Sequence, residues 1–159
     1  MKFAASFIFV ASLSASLSLS ACAADTTSTQ ETAPMMMTST QSFAVTEARL
    51  REGFDTRGLK LFTVVDHGAG AQSVGEDIGQ SKLFIFGNPK AGTPLMQAEP
   101  KLGLELPMKI LLRDAGGSVQ LYRTDIAATV RAYGVTDQDA RLGKISETLD
   151  DIMSEAAGN

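Results

Sequence analysis

Two short runs with a hydrophobic period of two face each other across a glycine pair, and this limits the fold more than any other feature. Met108, Ile110 and Leu112 alternate with Lys109 and Arg113, while Val119 and Leu121 alternate with Gln120 and Arg123. Gly116-Gly117 lies between them and suits the positive-φ turn of a β-hairpin. Side chains along a strand alternate between the two faces of its sheet, so the apolar side of this hairpin needs a cover. The end of the chain offers one. Leu142, Ile145, Leu149, Ile152 and Met153 keep helical spacing on one face of a final helix. A sheet with helices laid on it is the α+β class.

The remaining pattern extends that architecture. Gln41 to Val45 reads as a short strand, followed by a helix capped by Thr46 and ended by Gly58. Leu59 to Asp66 reads as a strand, and residues 70 to 79 as a short helix weakened by Gly75. The four consecutive apolar residues within Lys82 to Phe86 predict a strand buried on both faces. After a GNPKAGTP loop, Thr93 can cap a helix with Pro94 at its first position. Asp125 opens another helix, which Gly134 ends. The expectation is one sheet of about five strands covered by helices, in a single domain over residues 43–159.

The N-terminal part is of a different kind. Lys2 is followed by an uncharged run with an apolar centre at Phe7 to Val10, and small residues follow. Residues 1–21 read as an export signal, to be set aside in reasoning about the fold. Leu19-Ser20-Ala21-Cys22 resembles the bacterial lipobox, which implies lipidation of Cys22 and a lipid anchor in the cell envelope. Ala23 rather than Asp after the Cys implies, by the sorting pattern of such proteins, the periplasmic face of the outer membrane in a two-membrane cell. Ordinary secretory cleavage at Ala21-Cys22-Ala23 is a second reading, and an uncut membrane helix a third. Six serines between Ser6 and Ser20 dilute the hydrophobicity that the third would need. Residues 22–42, rich in Thr and Ser, read as a flexible tether in which Met35-Met36-Met37 is plain linker rather than a soft-metal site.

Charge and residue counts exclude several functions. A net charge of −4 and a pI of about 4.9 argue against a nucleic-acid partner. One Cys and one His leave no tetrahedral zinc site and no disulfide framework, so neither metal nor cofactor is expected. Glu76-Asp77 and Asp150-Asp151 read as solvated helix faces.

The distinctive residues lie between Asp66 and Pro107: Asp66-His67, Ala71, Gly75, the run Phe86-Gly87-Asn88-Pro89-Lys90, then Gly92-Thr93-Pro94-Leu95-Met96, Gly103 and Leu106-Pro107. Over roughly residues 43 to 135 the chain resembles the bacterial domain of unknown function 302 family. That resemblance implies an α+β domain similar to the TATA-binding-protein-like β-α-β(4)-α arrangement, and no established reaction.

Four residues stand out as binding or catalytic candidates: His67, Asn88, Lys90 and Thr93. His67 is the only imidazole and can serve as a general base or a ligand contact, or else lock its own loop. Gly87 to Thr93 fails as a phosphate loop, because Thr93-Pro94 stands where Lys and Ser or Thr belong. It leaves Lys90 and the start of the Thr93 helix as a hold for a small anion. Leu95, Met96, Leu102 and Leu104 read as core or pocket wall. If the strands flanking residues 70 to 79 run parallel, His67 and the Asn88 loop share one concavity; if antiparallel, they lie apart. The reading favours a membrane-tethered periplasmic domain that binds a small ligand or an envelope partner, with the first geometry expected. An enzyme using His67 as acid/base on a small anionic substrate is the alternative. A structural module that pairs with a second copy through its sheet is another.

Overall fold

The computed structural model describes residues 34–159, so the expected export signal, Cys22 and the first part of the expected tether lie outside the described residues. Five strands form one antiparallel sheet: β1 (Met35–Thr38), β2 (Lys60–Asp66), β3 (Ser81–Gly87), β4 (Met108–Asp114) and β5 (Val119–Arg123), in the order β1-β5-β4-β3-β2. The helices are α1 (Phe43–Thr56), α2 (His67–Gln72), α3 (Pro89–Ala98), α4 (Ile126–Ala132) and α5 (Asp139–Ala157), with a 3-10 turn at Pro100–Leu104. The chain order is strand, helix, four strands with helical connections, then helices. The α+β expectation holds.

The core lies between the sheet and its helices. Phe84 and Phe86 of β3, Ile110 and Leu112 of β4, and Leu121 of β5 are fully buried, together with Leu50 and Phe54 of α1 and Ile152 of α5. Phe54 stacks on Phe86 with ring centroids 4.1 Å apart and meets Phe84 at 6.3 Å. Above this face, Glu47 of α1 accepts hydrogen bonds from Lys82 of β3 at 2.8 Å and from Arg51 at 2.7 Å. Burial alone would push the Glu47 carboxyl up, but these two cations outweigh it and hold its pKa below the usual carboxylate value.

Four local expectations are corrected. Lys82 to Phe86 is not buried on both faces: Leu83 and Ile85, pointing away from the helices, are only half-buried. Antiparallel sheets can leave one side open to solvent in this way. The strand placed at Gln41 to Val45 lies earlier, at Met35–Thr38, inside the expected tether, and pairs with β5 from Met35↔Arg123 to Thr38↔Gln120. The following residues tie down the far end of α5. Thr40 donates its N–H (2.9 Å) and its hydroxyl (3.0 Å) to the Ala157 carbonyl, and the Ser39 and Thr46 hydroxyls meet at 2.8 Å. The folded unit therefore begins by residue 35, not 43. Helix α1 starts at Phe43 with Ser42 as its cap, and Thr46 lies within its first turns, its hydroxyl bonded to the Ser42 carbonyl at 2.9 Å. Asp150 is no solvated bystander. It accepts from Nη2 and Nε of Arg123 at 2.5 and 3.1 Å, while that guanidinium is 3% exposed beneath α5.

Candidate functional site

Strands β2 and β3 are antiparallel, and their register decides where the candidate residues fall. Asp66 pairs with Lys82 at one end and Lys60 with Gly87 at the other. His67 follows Asp66, whereas Asn88 follows Gly87, so the length of β3 separates them. At about 3.3 Å per residue, its seven residues span roughly 20 Å. The expectation that His67 and the Asn88 loop line one concavity is overturned. The physical reason is the short α2: a turn after His67 returns the chain into an antiparallel neighbour, where a parallel pair would need a long crossover.

His67 is exposed and opens α2. The Asp66 carboxylate does not orient it. Asp66 is the N-cap of that helix and accepts from the Ala69 N–H at 2.8 Å. Gly68 is packed so closely that a Cβ there would lie 2.7 Å from the Gly79 carbonyl oxygen. This end of the sheet is a tight backbone junction.

At the opposite end, the chain leaves β3 through Gly87-Asn88 and builds a cleft. Asn88 is the N-cap of α3, and its side-chain oxygen accepts the Lys90 N–H at 2.9 Å. Pro89 takes the first helical position, and Pro94 falls inside the helix. Thr93 is therefore not a cap, as the sequence suggested, but a residue on the second turn. The proposed anion hold goes with it. The Lys90 N–H is bound by Asn88, the Ala91 and Gly92 N–H groups are bound to the Asn88 carbonyl, and Lys90 is exposed outside the cleft.

The cleft has a volume of about 440 Å³, within the range of small-molecule sites. Gly87, Asn88, Ala91 and Thr93 form one wall with Leu95 and Met96 of α3. Leu106 and Pro107, joined by a cis peptide bond, close a second side where the chain enters β4 at Met108. Ile126 of α4 and Ile145 of α5 reach in from the helical layer. At Gly92 a Cβ would meet Leu106 at 3.6 Å, an ordinary contact, so α3 and this wall pack at normal distance. Of the four residues expected as core or pocket wall, Leu95 and Met96 line the cleft and Leu102 is fully buried in the core, whereas Leu104 is 77% exposed and is neither.

Phe62 completes the lining and was invisible in the sequence. The β2–β3 register shifts between Leu61 and Thr63, leaving Phe62 as the unpaired residue of a bulge. Bulges re-aim a side chain in this manner. The Phe62 ring, 46% exposed, lines the cleft, and the Lys60 ammonium sits 5.2 Å from its centroid. None of the side chains lining the cleft is titratable, and its polar groups are those of Asn88 and Thr93. The Asn88 oxygen is used by the cap, while its NH₂ makes no hydrogen bond among the described residues.

A second cleft of about 670 Å³ adjoins the first, sharing Asn88, Ala91, Met108 and Ile145. Its lining includes three cations: Arg57 at the end of α1, and Arg141 and Lys144 on α5. Arg57 donates both Nη groups to Glu155 at 3.0 and 2.6 Å, and this bond, against a smaller effect of burial, raises its pKa above the usual value. Arg141 uses Nε on Gln138 at 3.1 Å, and the Lys144 ammonium has no partner among the described residues. In the sequence their signal, Arg-x-x-Lys beside Ile145 on an amphipathic helix, looks like an ordinary solvated edge.

Among the described residues, no helix is long and apolar enough to cross a membrane, and no group of three acidic, Cys or His side chains could hold a metal ion. Comparison with known proteins gives relatives of two kinds. The fluoride-specific ion channel FluC 1 of Brucella suis biovar 1 is 42% identical over 90 residues, covering 56% of this chain and 35% of that protein. A FluC 1 from Brucella abortus biovar 1 matches with the same identity over 33% of its length. The chain thus spans about a third of these curated relatives. A crystal structure of an uncharacterized conserved DUF302 protein from Bacillus stearothermophilus superposes with a TM-score of 0.71 at 14% identity, over 77% of this chain and 97% of that one. Residues 35–156 match the family model described as domain of unknown function DUF302, and their first residue is the first residue of β1. With the antiparallel sheet, the Gly87 to Met96 wall and this match in hand, the chain belongs to the DUF302 family.

Proposed function

We propose that this protein is a non-catalytic, membrane-tethered binding domain that holds a small apolar ligand in the cleft beneath α3. The observation that carries the reading is the composition of that cleft: about 440 Å³ of apolar wall with two polar side chains, Asn88 and Thr93, and nothing that titrates. Binding sites are mostly apolar with a few placed polar groups, whereas acid–base catalysis needs a titratable group within hydrogen-bond reach of the substrate. His67, the one imidazole, belongs to the other end of the sheet. The tether rests on the lipobox-like Leu19-Ser20-Ala21-Cys22. The name of the Brucella relatives, ion channels, is in keeping with work at a membrane.

The test of binding is titration with the neutral apolar dye N-phenyl-1-naphthylamine. Saturable fluorescence enhancement is expected in the intact domain and its loss in Ala91→Phe, which fills the cleft from α3. A dye response that is unsaturable, or unchanged in that variant, contradicts the reading. For the tether, Cys22→Ser should move the protein out of the membrane fraction of its host, or leave it unprocessed. An unchanged distribution and size would remove the anchor from the account.

A further inference from the structure

We infer that the ligand is an anionic amphiphile with a single apolar chain, its chain in the cleft beneath α3 and its charged head on the cationic shelf of α5. The inference rests on the binding reading above and adds the charge and shape of what is bound. The two clefts are one continuous depression, because Asn88, Ala91, Met108 and Ile145 form walls of both. Their chemistry differs sharply across that shared wall. The α3 side has no charged side chain in its lining, with the Lys60 ammonium only at its Phe62 edge, while the α5 side carries Arg57, Arg141 and Lys144 with no carboxylate in its lining.

The protein as a whole is acidic, with a net charge of −4, so a lining with three cations and no carboxylate runs against the general balance. Arg57 is already bound to Glu155, which leaves Arg141 and Lys144 as the charges available to a ligand. They stand three residues apart on α5, and Ile145, next to Lys144, reaches into the apolar cleft. Their long stems can lie along apolar surface while their heads remain in water. One helix edge therefore presents an apolar contact and two cationic ones side by side, which is the pattern an amphiphile presents in reverse. The Asn88 NH₂, which makes no hydrogen bond among the described residues, is a further donor where chain and head would meet.

Displacement of N-phenyl-1-naphthylamine by decanoate, decyl phosphate and decanol, at low ionic strength, tests this. Both anions are expected to bind about tenfold more tightly than the alcohol, and added salt should shrink the difference. In Arg141→Gln/Lys144→Gln the preference should vanish while decanol binds as before. Equal affinity of the three in the intact protein, or a preference that survives in the double variant, overturns the inference and leaves the apolar site standing. If neither the dye nor decanol binds, the binding reading itself fails. Sedimentation with phosphatidylglycerol vesicles separates the sources of such a head: binding to vesicles without binding of free decanoate would mean a bilayer surface, and would contradict a single-chain ligand in the cleft.

Discussion

At the scale of single residues, the clearest consequence concerns Arg123. Its guanidinium is 3% exposed and held by Asp150 and by the Thr124 carbonyl at 3.1 Å. Removing the partner of a buried charge costs about 3–5 kcal/mol, and the partial exposure of Asp150 places this case near the lower end. Asp150→Ala should therefore lose about 3 kcal/mol in a urea melt, and His67→Ala, at an exposed position, no more than about 0.5 kcal/mol. A cost below about 1 kcal/mol for Asp150→Ala would show that the pair does not hold α5 to β5. Neither fact was legible in the sequence. Asp150-Asp151 looks like solvated surface because its partner is 27 residues away. His67 stood out for being the only imidazole, which is a property of composition and not of place. Phe62 fails for a related reason: nothing in KLFTVVD marks the bulge that turns its ring into the cleft.

At the scale of elements, strong periodic patterns were read well and short edges were not. The hairpin of β4 and β5, the strand up to Asp66 and the last helix all lie where alternation or helical spacing put them. Helix α3 begins five residues early because Asn88-Pro89 and Thr93-Pro94 are both cap-plus-proline pairs, and spacing alone cannot choose between them. The first strand was missed because an edge strand of four residues buries little: Met35 and Met36 are exposed, and only Met37 packs on the core. Its contribution lies in the backbone and in the hydroxyls of Ser39 and Thr40. With each net hydrogen bond worth about 1 kcal/mol, deleting residues 34–41 should lower stability by roughly 3 kcal/mol or more, lowering the urea midpoint. A midpoint unchanged by the deletion would return this segment to a tether.

At the scale of the whole molecule, the antiparallel sheet has two working ends with different characters. One holds α2 against β3 by close backbone contact at Gly68, with His67 on its surface. The other is open, apolar and bordered by the cations of α5. The distinctive residues of the sequence are split between these ends, which is why reading them as one site failed. Their separation depends on strand direction, which is set by a six-residue helix too short to carry a parallel crossover. The direct test of the central claim is a map of amide chemical shifts in nuclear magnetic resonance spectra as decanol is added. The account predicts changes concentrated at residues 87–96 and 106–108 and around Phe62, Ile126 and Ile145, with His67 to Ser81 unmoved. Shifts centred on His67 to Ser81, with the residues around Met96 silent, would contradict it.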